Sequence, residues 1–250
     1  MAARPELVAL LPVRNAERWL SEWLAAASEW ADGVIALDDG STDASRVILQ
    51  NHPLVRRVLR NPVRPTFEGW DDRANRQRLL DAAEEFSPRW VMFLDADERV
   101  APTDVEVLGR IIRDEDPSFA YGLRIHAATD DLQSVESQGR WVYRLFGWEP
   151  GLELPDKKLH LVPTPISIPR RRWLRTTVRL LHMGTTDESD RAARFEKYRE
   201  ADPDRRWQSS YGHLLDHPVG MTPLLPVHVG SNSNPTLTAV VISRGDEPGL

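Results

Sequence analysis

The sequence predicts an α/β fold with a mostly parallel central sheet and helices on both of its faces. Between residues 7 and 115, short apolar segments alternate with longer segments in which apolar residues recur at helical spacing. This alternation is typical of parallel sheets covered by helices. Three of the apolar segments also end directly in polar or acidic residues, as strands do at the ligand-binding edge of an open α/β sheet.

The individual elements of this region follow from local patterns. Buried strands are predicted for the apolar runs in LVALLPV (7–13), GVIALDDGSTD (33–43) and RWVMFLDADE (89–98), with VRRVLR (55–60) as a weaker candidate. Helices are predicted for AERWLSEWLAAASEWA (16–31), ASRVILQN (44–51), FEGWDDRANRQRLLDAAEEF (67–86) and PTDVEVLGRIIRD (102–114). Ser41 or Asp43 can cap the second helix, and Pro102 suits the first turn of the last one.

Beyond residue 118 the pattern changes. Antiparallel strands are predicted for SFAYGLRIHAA (118–128) and GRWVYRLFGW (139–148), followed by a proline-rich surface segment (153–172). TVRLLHMG (177–184) is the last predicted strand of this part, and DESDRAARFEKYREADP (187–203) is a polar helix.

The predicted organisation is one domain over residues 1–205, an irregular extension or linker over 206–235, and a final segment over 236–250. Within that segment, LTAVVISRGDE (237–247) matches LVALLPVRNAE (7–17) in register. Two interpretations stay open, because short apolar matches are common: an ordinary C-terminal strand, or the start of a second, repeated domain.

Composition excludes several classes of protein. The formal net charge is −6 and the pI is about 5.7, which argues against nucleic acid as a partner. There is no cysteine, so a metal would need oxygen or imidazole ligands. The N-terminal apolar run is too short for a signal peptide, and we find no transmembrane segment, so a cytoplasmic protein is expected.

The strand ends carry the candidate chemistry. Because the carboxyl ends of parallel strands share one edge of a sheet, the acids after the second strand should lie near Asp95, Asp97 and Glu98. Carboxylates this close raise one another's pKa unless a cation lies among them. Without cysteine they favour Mg²⁺ or Mn²⁺, which commonly binds through one or two carboxylates and substrate phosphates.

Each of these motifs also has a structural interpretation. DDGSTD (38–43) is well suited to a turn followed by a helix cap. DAD (95–97) is harder to explain this way, because an apolar strand gains no stability by ending in acids. His182 ends a predicted strand, where it could be either a metal ligand or a buried structural histidine.

Several segments together resemble the nucleotide-sugar-dependent family 2 glycosyltransferases, which have the GT-A fold. In order and spacing, these segments are LPVRNAERWLSEWL, ADGVIALDDGSTDAS, NRQRLLDAA and WVMFLDADERV, then GRWVYRLFGWEPGL, KKLHLVP, RLLHMG and RFEKYREADP. The resemblance extends to about residue 205 and implies a single Rossmann-like domain. Its donor half would cover residues 1–100 and its acceptor half 101–205, with a small antiparallel subsheet on the acceptor side.

The resemblance also implies roles for the matched positions. The nucleotide end of the pocket would be lined by Pro12, Arg14, Asn15 and Glu17. Asp39 would accept a hydrogen bond from the base or ribose, and Asp95, with Ala96 beside it, would face the ribose or donor sugar. Asp97, the second aspartate of the DXD motif, would bind Mn²⁺ or Mg²⁺ together with His182. Arg73 and Arg76 both lie where the family places one basic residue near the donor.

The implied reaction transfers a sugar from a nucleoside-diphosphate sugar to an acceptor hydroxyl, usually with inversion, as in a hexosyltransferase. It needs a general base, for which we select Asp156. Related sequences often carry His-Glu where this chain has His160-Leu161, and Glu149 and Glu153 lie near Asp156 in the sequence. An exposed loop acid with no role is the alternative for Asp156.

Other functions fit the sequence less well. A haloacid-dehalogenase-type phosphatase would carry Thr or Val where Arg99 stands, with its motif near the N-terminus. A nucleotidyltransferase would carry a glycine- and arginine-rich loop, which VRNAERW (13–19) lacks. A non-catalytic nucleotide-sugar-binding module of a larger tandem protein stays open. RRRWLR (170–175) could contact an anionic acceptor or membrane, or be a solvated strand flank.

Overall fold

The computed structural model describes residues 5–225, and its centre is an eight-stranded sheet. In chain order the strands are β1 (Leu7–Val13), β2 (Gly33–Asp38), β3 (Val55–Arg60), β4 (Trp90–Phe93), β5 (Glu98–Val100), β6 (Ala120–Ala127), β7 (Ser134–Glu136), β8 (Arg140–Gly147), β9 (Trp173–His182) and β10 (Met221–Pro223). β7 and β10 form a separate two-stranded antiparallel sheet, and the other strands form the central sheet.

The central sheet is parallel in its first half and mixed in its second. Its strand order is β3-β2-β1-β4-β8-β6-β9-β5. β3, β2, β1 and β4 pair in parallel, whereas β8 is antiparallel to both β4 and β6. β6 and β9 are parallel, and β5 is antiparallel to β9. The predicted α/β class, with a mostly parallel sheet and a small antiparallel subsheet, is confirmed.

The helices are α1 (Glu17–Ala27), α2 (Ser45–Asn51), α3 (Asp72–Ala82), α4 (Val105–Asp114) and α5 (Glu188–Ala201). α3 begins five residues later than predicted, because Asp71 forms its N-cap and accepts a hydrogen bond from Ala74 N at 2.8 Å. In the predicted cap of α2, Asp43 rather than Ser41 contacts the first turn, accepting from Ser45 N at 2.9 Å.

Both faces of the sheet are buried, which explains why its strands are continuously apolar rather than alternating. One face of β1, including Leu7, Ala9 and Leu11, packs with α1, α2 and α4. The other face, including Val8 and Leu10, packs with α3. The predicted arrangement of helices on both faces of the sheet is therefore correct.

This topology brings distant segments to one edge. β1, β2 and β4 are parallel neighbours, so the residues that follow them lie side by side. β9 reaches the same place from another part of the chain, because Glu98 pairs with His182 in the register of β5 and β9. The edge therefore combines residues that are far apart in sequence.

The described part of the predicted linker packs against the domain. Within residues 206–225, β10 pairs with β7, Tyr211 is buried, and Leu215 O accepts a hydrogen bond from Arg191 Nε at 3.2 Å. Residues 206–225 therefore belong structurally to the domain. The predicted final segment, 236–250, lies outside the described residues. No helix within residues 5–225 is long and apolar enough to cross a bilayer.

A buried ion pair joins α4 to β9. The Asp104 carboxylate is fully buried and accepts hydrogen bonds from Arg179 N at 2.9 Å, Nε at 2.8 Å and NH2 at 2.7 Å. Asp104→Ala should lower the free energy of unfolding by about 3 kcal/mol, because it leaves a largely buried guanidinium without its partner.

Urea denaturation measures this change, with Glu106→Ala as the control. Glu106 pairs with Arg110 at 2.8 Å but its side chain is 80% exposed, so its loss should cost about 0.5 kcal/mol or less. Equal losses in the two variants would contradict a stabilising role for the buried pair.

Candidate active site

The loops after β1 and β2 are fastened to each other. Asn15 Oδ1 accepts a hydrogen bond from Thr42 N, and Glu17 Oε2 accepts one from Ala44 N, both at 2.8 Å. In return, Asp43 Oδ2 accepts from Glu17 N at 3.0 Å. Asn15 and Glu17, both predicted to line the nucleotide end, therefore hold the loop 41–44 in place.

Asp39 is buried and its carboxylate is already bonded. It accepts from Asn61 Nδ2 at 2.5 Å and from Arg64 NH2 at 2.6 Å. The segment that carries these partners packs directly on Gly40, where φ is +76° and a Cβ atom would collide with Pro62 O. Glycine is required here for both reasons, and residues 61–64 cover the end of β2.

Arg14 holds the next part of the same segment. Its NH2 group donates to Arg64 O at 2.7 Å and to Thr66 O at 2.9 Å, and its guanidinium lies 3.9 Å from the centre of the Phe67 ring. Burial, followed by the nearby Arg64 guanidinium, lowers the pKa of Arg14. Pro12 is half-buried in β1, beside Leu37 of β2.

Asp95 lies between two arginines. Its carboxylate accepts from Arg76 NH2 at 2.7 Å, and Arg144 NH2 lies 3.7 Å away. Burial alone would raise the pKa of Asp95, but the charges of Arg76 and Arg144 lower it well below its usual value. Arg76 Nε also lies 3.0 Å from Asp72 Oδ1. Burial would lower the pKa of Arg76, but the charges of Asp72 and Asp95 raise it above its usual value.

Glu98 has a structural position within this group of charges. Its buried side chain accepts from Arg144 NH1 and from Asp95 N, the latter at 2.9 Å. Ala96 is buried beside them and its carbonyl accepts from Arg99 NH1 at 3.0 Å. Of the three clustered acids, Glu98 therefore fixes the loop, whereas the side chains of Asp95 and Asp97 are 33% and 35% exposed.

Asp97 faces His182. Asp97 Oδ2 lies 3.2 Å from His182 Nε2, and 35% of the Asp97 side chain is exposed. Burial would raise the pKa of Asp97, but the imidazole of His182 lowers it below its ordinary value. The two groups contact each other directly in this structure. A carboxylate oxygen and an imidazole nitrogen this close together suit a divalent cation whose remaining ligands come from a phosphate.

This pair is too small to hold a metal unaided. Within residues 5–225, no group of three or more histidines and acids is arranged around one metal position. The two side chains therefore fit a cation that is completed by its ligand and by water, as Mg²⁺ usually is.

The two arginines predicted to compete for one position lie in different surroundings. Arg76 bonds to Asp95, whereas Arg73 is fastened through its backbone, its N donating to Lys158 O at 3.2 Å. The structure thus places Arg76, rather than Arg73, beside the acidic cluster.

Asp156 is exposed and lies in a loop. The hydrogen bond from Arg73 N to Lys158 O joins this loop to the first turn of α3. Within the described chain, the Asp156 carboxylate makes no hydrogen bond or ion pair. Glu149 and Glu153 are exposed as well. Leu161, at the position where related sequences often carry glutamate, is buried in the core beneath α3.

Two features of the site were missed from the sequence. One is Arg144. The alternating pattern of its strand indicates on which face of the sheet Arg144 lies, but not which residues it contacts there. The other is a chain of polar groups: Tyr211 donates to Asp202 Oδ2 at 2.7 Å and lies 3.0 Å from His160 Nε2. His160 has a left-handed φ of +55°. The sequence does not indicate this backbone conformation.

Comparison with known proteins gives consistent matches. The sequence model described as "Glycosyl transferase family 2" matches residues 9–177. An uncharacterized protein of Mycobacterium tuberculosis and one of Mycobacterium bovis are each 29% identical over 231 residues, covering 84% of this chain. The chain spans only 56% of the length of these relatives.

Solved structures show a weaker likeness. Residues 1–349 of TarS from S. aureus align with a TM-score of 0.48 and 12% identity, over 84% of this chain and 69% of that one. The mannosyltransferase PcManGT from Pyrobaculum calidifontis, in complex with GDP-Man and Mn²⁺, aligns with a TM-score of 0.35 and 17% identity, over 51% and 36% of the two chains.

Arg76 should be essential to the integrity of the site. Arg76→Met removes the guanidinium that two carboxylates share, so the free energy of unfolding should fall by about 3 kcal/mol. Urea denaturation followed by tryptophan fluorescence measures the loss.

Arg78→Met is the matched control on the same helix. Arg78 is exposed and bonds to Asn61 and to Arg60 O, so its replacement should cost less than about 1 kcal/mol. If Arg76→Met were no more harmful than this control, the charge network would not be stabilising.

Proposed function

Because the chain belongs to glycosyl transferase family 2, we propose that it transfers a sugar, expected to be a hexose, from a nucleoside-diphosphate sugar to an acceptor hydroxyl. The observation that carries the proposal is the Asp97–His182 pair, set at the sheet edge beside an ionised Asp95. The two side chains lie 3.2 Å apart, and 35% of the Asp97 side chain is exposed, so a ligand can reach the pair.

Asp97 and His182 would hold Mn²⁺ or Mg²⁺, which would supply Lewis-acid stabilisation to the departing diphosphate. Their contribution is to present two ligands in a fixed position, because β5 and β9 pair in register at Glu98 and His182. Fixed ligands of this kind avoid the cost of reorganisation when the ligand binds.

Asp95 would orient the donor. Arg76 and Arg144 keep it ionised, so it can accept hydrogen bonds from ribose or sugar hydroxyls. Its side chain is 33% exposed, which leaves part of the carboxylate open to the cleft. Pro12, Arg14, Asn15, Glu17 and Asp39 would form the nucleotide end, behind the segment 61–67 that Arg14 and Asp39 hold in place.

We assign the general base to Asp156. In a single inverting displacement, the acceptor oxygen bonds to the anomeric carbon as the bond to the diphosphate breaks, and the acceptor proton passes to the carboxylate. Asp156 supports this role as an exposed carboxylate without a partner among residues 5–225, whereas Arg76 and Arg144 engage Asp72, Asp95 and Glu98.

Two observations favour a second candidate, a nucleotide-sugar-binding module without turnover. Leu161 is buried where an acid is often found in related sequences, and the chain spans 56% of its longer relatives. Slow, metal-dependent hydrolysis of the donor separates the two, because a binding module would not release the sugar.

Asp97→Ala should abolish transfer and remove metal-dependent nucleotide binding. In the wild-type protein, one of UDP, GDP, dTDP, CDP and ADP should raise the melting temperature with Mn²⁺ or Mg²⁺ but not with EDTA. At a ligand concentration of about 100 times Kd, this shift corresponds to roughly 2.7 kcal/mol.

Asp114→Ala is the control for this experiment. Asp114 is an exposed acid at the end of α4, and its variant should bind nucleotide and metal like the wild type. Unchanged turnover in Asp97→Ala, or no shift of the wild type with any nucleotide, would sink the proposed function.

Asp156→Asn should lower the rate of transfer by about 10²–10⁴-fold, which is the usual contribution of a general base. The nucleotide-dependent shift in melting temperature should be preserved, because the donor does not need the base. Steady-state kinetics and the thermal-shift assay together test both statements.

Glu149→Gln, which also neutralises an exposed acid of the same region, provides the comparison. Its activity should remain close to the wild type. Wild-type rates for Asp156→Asn would assign the proton to another group.

A further inference from the structure

A cavity of about 350 Å³ opens beside His182. We propose that it binds the phosphate or carboxylate group of a small hydroxylated acceptor, and that Arg140 and Arg194 recognise this group. The inference rests on the proposed glycosyltransferase function and extends it, because it names the chemical class of the acceptor. The volume is at the lower end of ligand pockets, so it suits a small molecule rather than a polymer.

The cavity is built from elements of the second half of the chain. Its walls come from β6, the end of β7, the start of β8, the end of β9, α5 and the segment 213–218. Its charged lining consists of Arg140, Arg191, Arg194, Glu136 and Asp216. His182 is shared with the proposed metal pair, so the cavity meets the reaction centre at one point.

Two of the three arginines have no partner. Within residues 5–225, the side chains of Arg140 and Arg194 make no hydrogen bond and no ion pair, although Glu136 and Asp216 line the same cavity. Arg194 is half-buried on α5, and Arg140 remains open to solvent at the start of β8. Free guanidinium groups at a cavity wall are suited to bidentate binding of a phosphate or carboxylate.

The third arginine is part of the wall itself. Arg191 is buried and donates to the carbonyls of Thr185, Thr186 and Leu215, and its NH2 lies 2.9 Å from His217 Nε2. The hydrogen-bond donors of its guanidinium are therefore engaged, and they hold the segment 213–218 against α5. Arg191 is therefore a structural residue, whereas the guanidinium groups of Arg140 and Arg194 are available to bind a ligand.

The two available arginines are close enough to oppose each other. Although Arg140 is exposed, the surrounding protein displaces part of the water around its guanidinium and lowers its pKa, and the charges of Arg194 and Arg144 lower it further. Arg194 and His182, the proposed metal ligand, line the same cavity. An anion between Arg140 and Arg194 would relieve their repulsion.

The position of the cavity favours the acceptor over the donor. The cavity lining contains none of the residues that follow β1, β2 and β4, where the nucleotide is expected. A molecule held by Arg140 and Arg194 would approach the reaction centre from the His182 side, opposite the nucleotide end. A hydroxyl next to its anionic group could then reach the donor sugar.

The test uses glycerol 1-phosphate, glycerate and glycerol as probes, with Mg²⁺ and the nucleotide that stabilises the wild type. Isothermal titration should detect binding of one or both anions and none of glycerol, and the two anions separate phosphate from carboxylate recognition. Arg140→Gln and Arg194→Gln should each weaken anion binding by about tenfold or more, the usual effect of losing a charged hydrogen bond. Nucleotide affinity should stay unchanged.

Arg199→Gln is the matched control on α5, since Arg199 is exposed and pairs with Glu196 away from the cavity. Arg194→Lys keeps the charge and guards against misfolding, and it should retain part of the affinity. Anion binding no tighter than glycerol binding in the wild type would overturn the proposal, as would arginine variants that lose nucleotide instead of anion. Failure of nucleotide binding in the wild type would instead overturn the proposed function, whatever the anions do.

Discussion

The arrangement of the site depends on two guanidinium groups that lie among three carboxylates. Arg76 bonds to Asp72 and Asp95, and Arg144 bonds to Glu98 and lies near Asp95. Without these cations, acids at the end of a buried strand would raise one another's pKa and would destabilise the fold. The ion pairs join α3, the segment after β4, and β8. The same contacts therefore stabilise the sheet edge and place its charged side chains there.

This network divides the clustered acids by task. Glu98 is buried against Arg144 and the backbone of Asp95, and Asp95 is oriented by two arginines. Asp97 is left to face His182, which β9 supplies from a distant part of the sequence. The arginines show the same division, since Arg191 builds a wall whereas Arg140 and Arg194 stay available beside it. Within residues 5–225, Arg140 and Arg194 are informative because their side chains lack hydrogen bonds and ion pairs and line one cavity together.

The errors in the sequence-based predictions have identifiable causes. The predicted third helix began at Phe67, but the aromatic rings of Phe67 and Trp70 pack against α5, and the Asp71 cap starts the helix afterwards. An irregular extension or linker was predicted for residues 206–235. In its described part, residues 221–223 pair with β7, and Leu215 O accepts a hydrogen bond from Arg191 of α5. Short polar segments of this kind gain their structure from distant contacts, which local propensity cannot represent.

The sequence by itself determined the parallel half of the sheet, its helices and the acids at the strand ends, because apolar periodicity and strand-end position are local properties. It also carried the family resemblance that the comparison confirmed. Only the tertiary structure decided that Arg76 rather than Arg73 reaches Asp95, that Glu98 is structural, and that Arg140 and Arg194 share a cavity. The physical reason is that the pairing of charges depends on distances of a few ångströms between segments that the fold alone brings together.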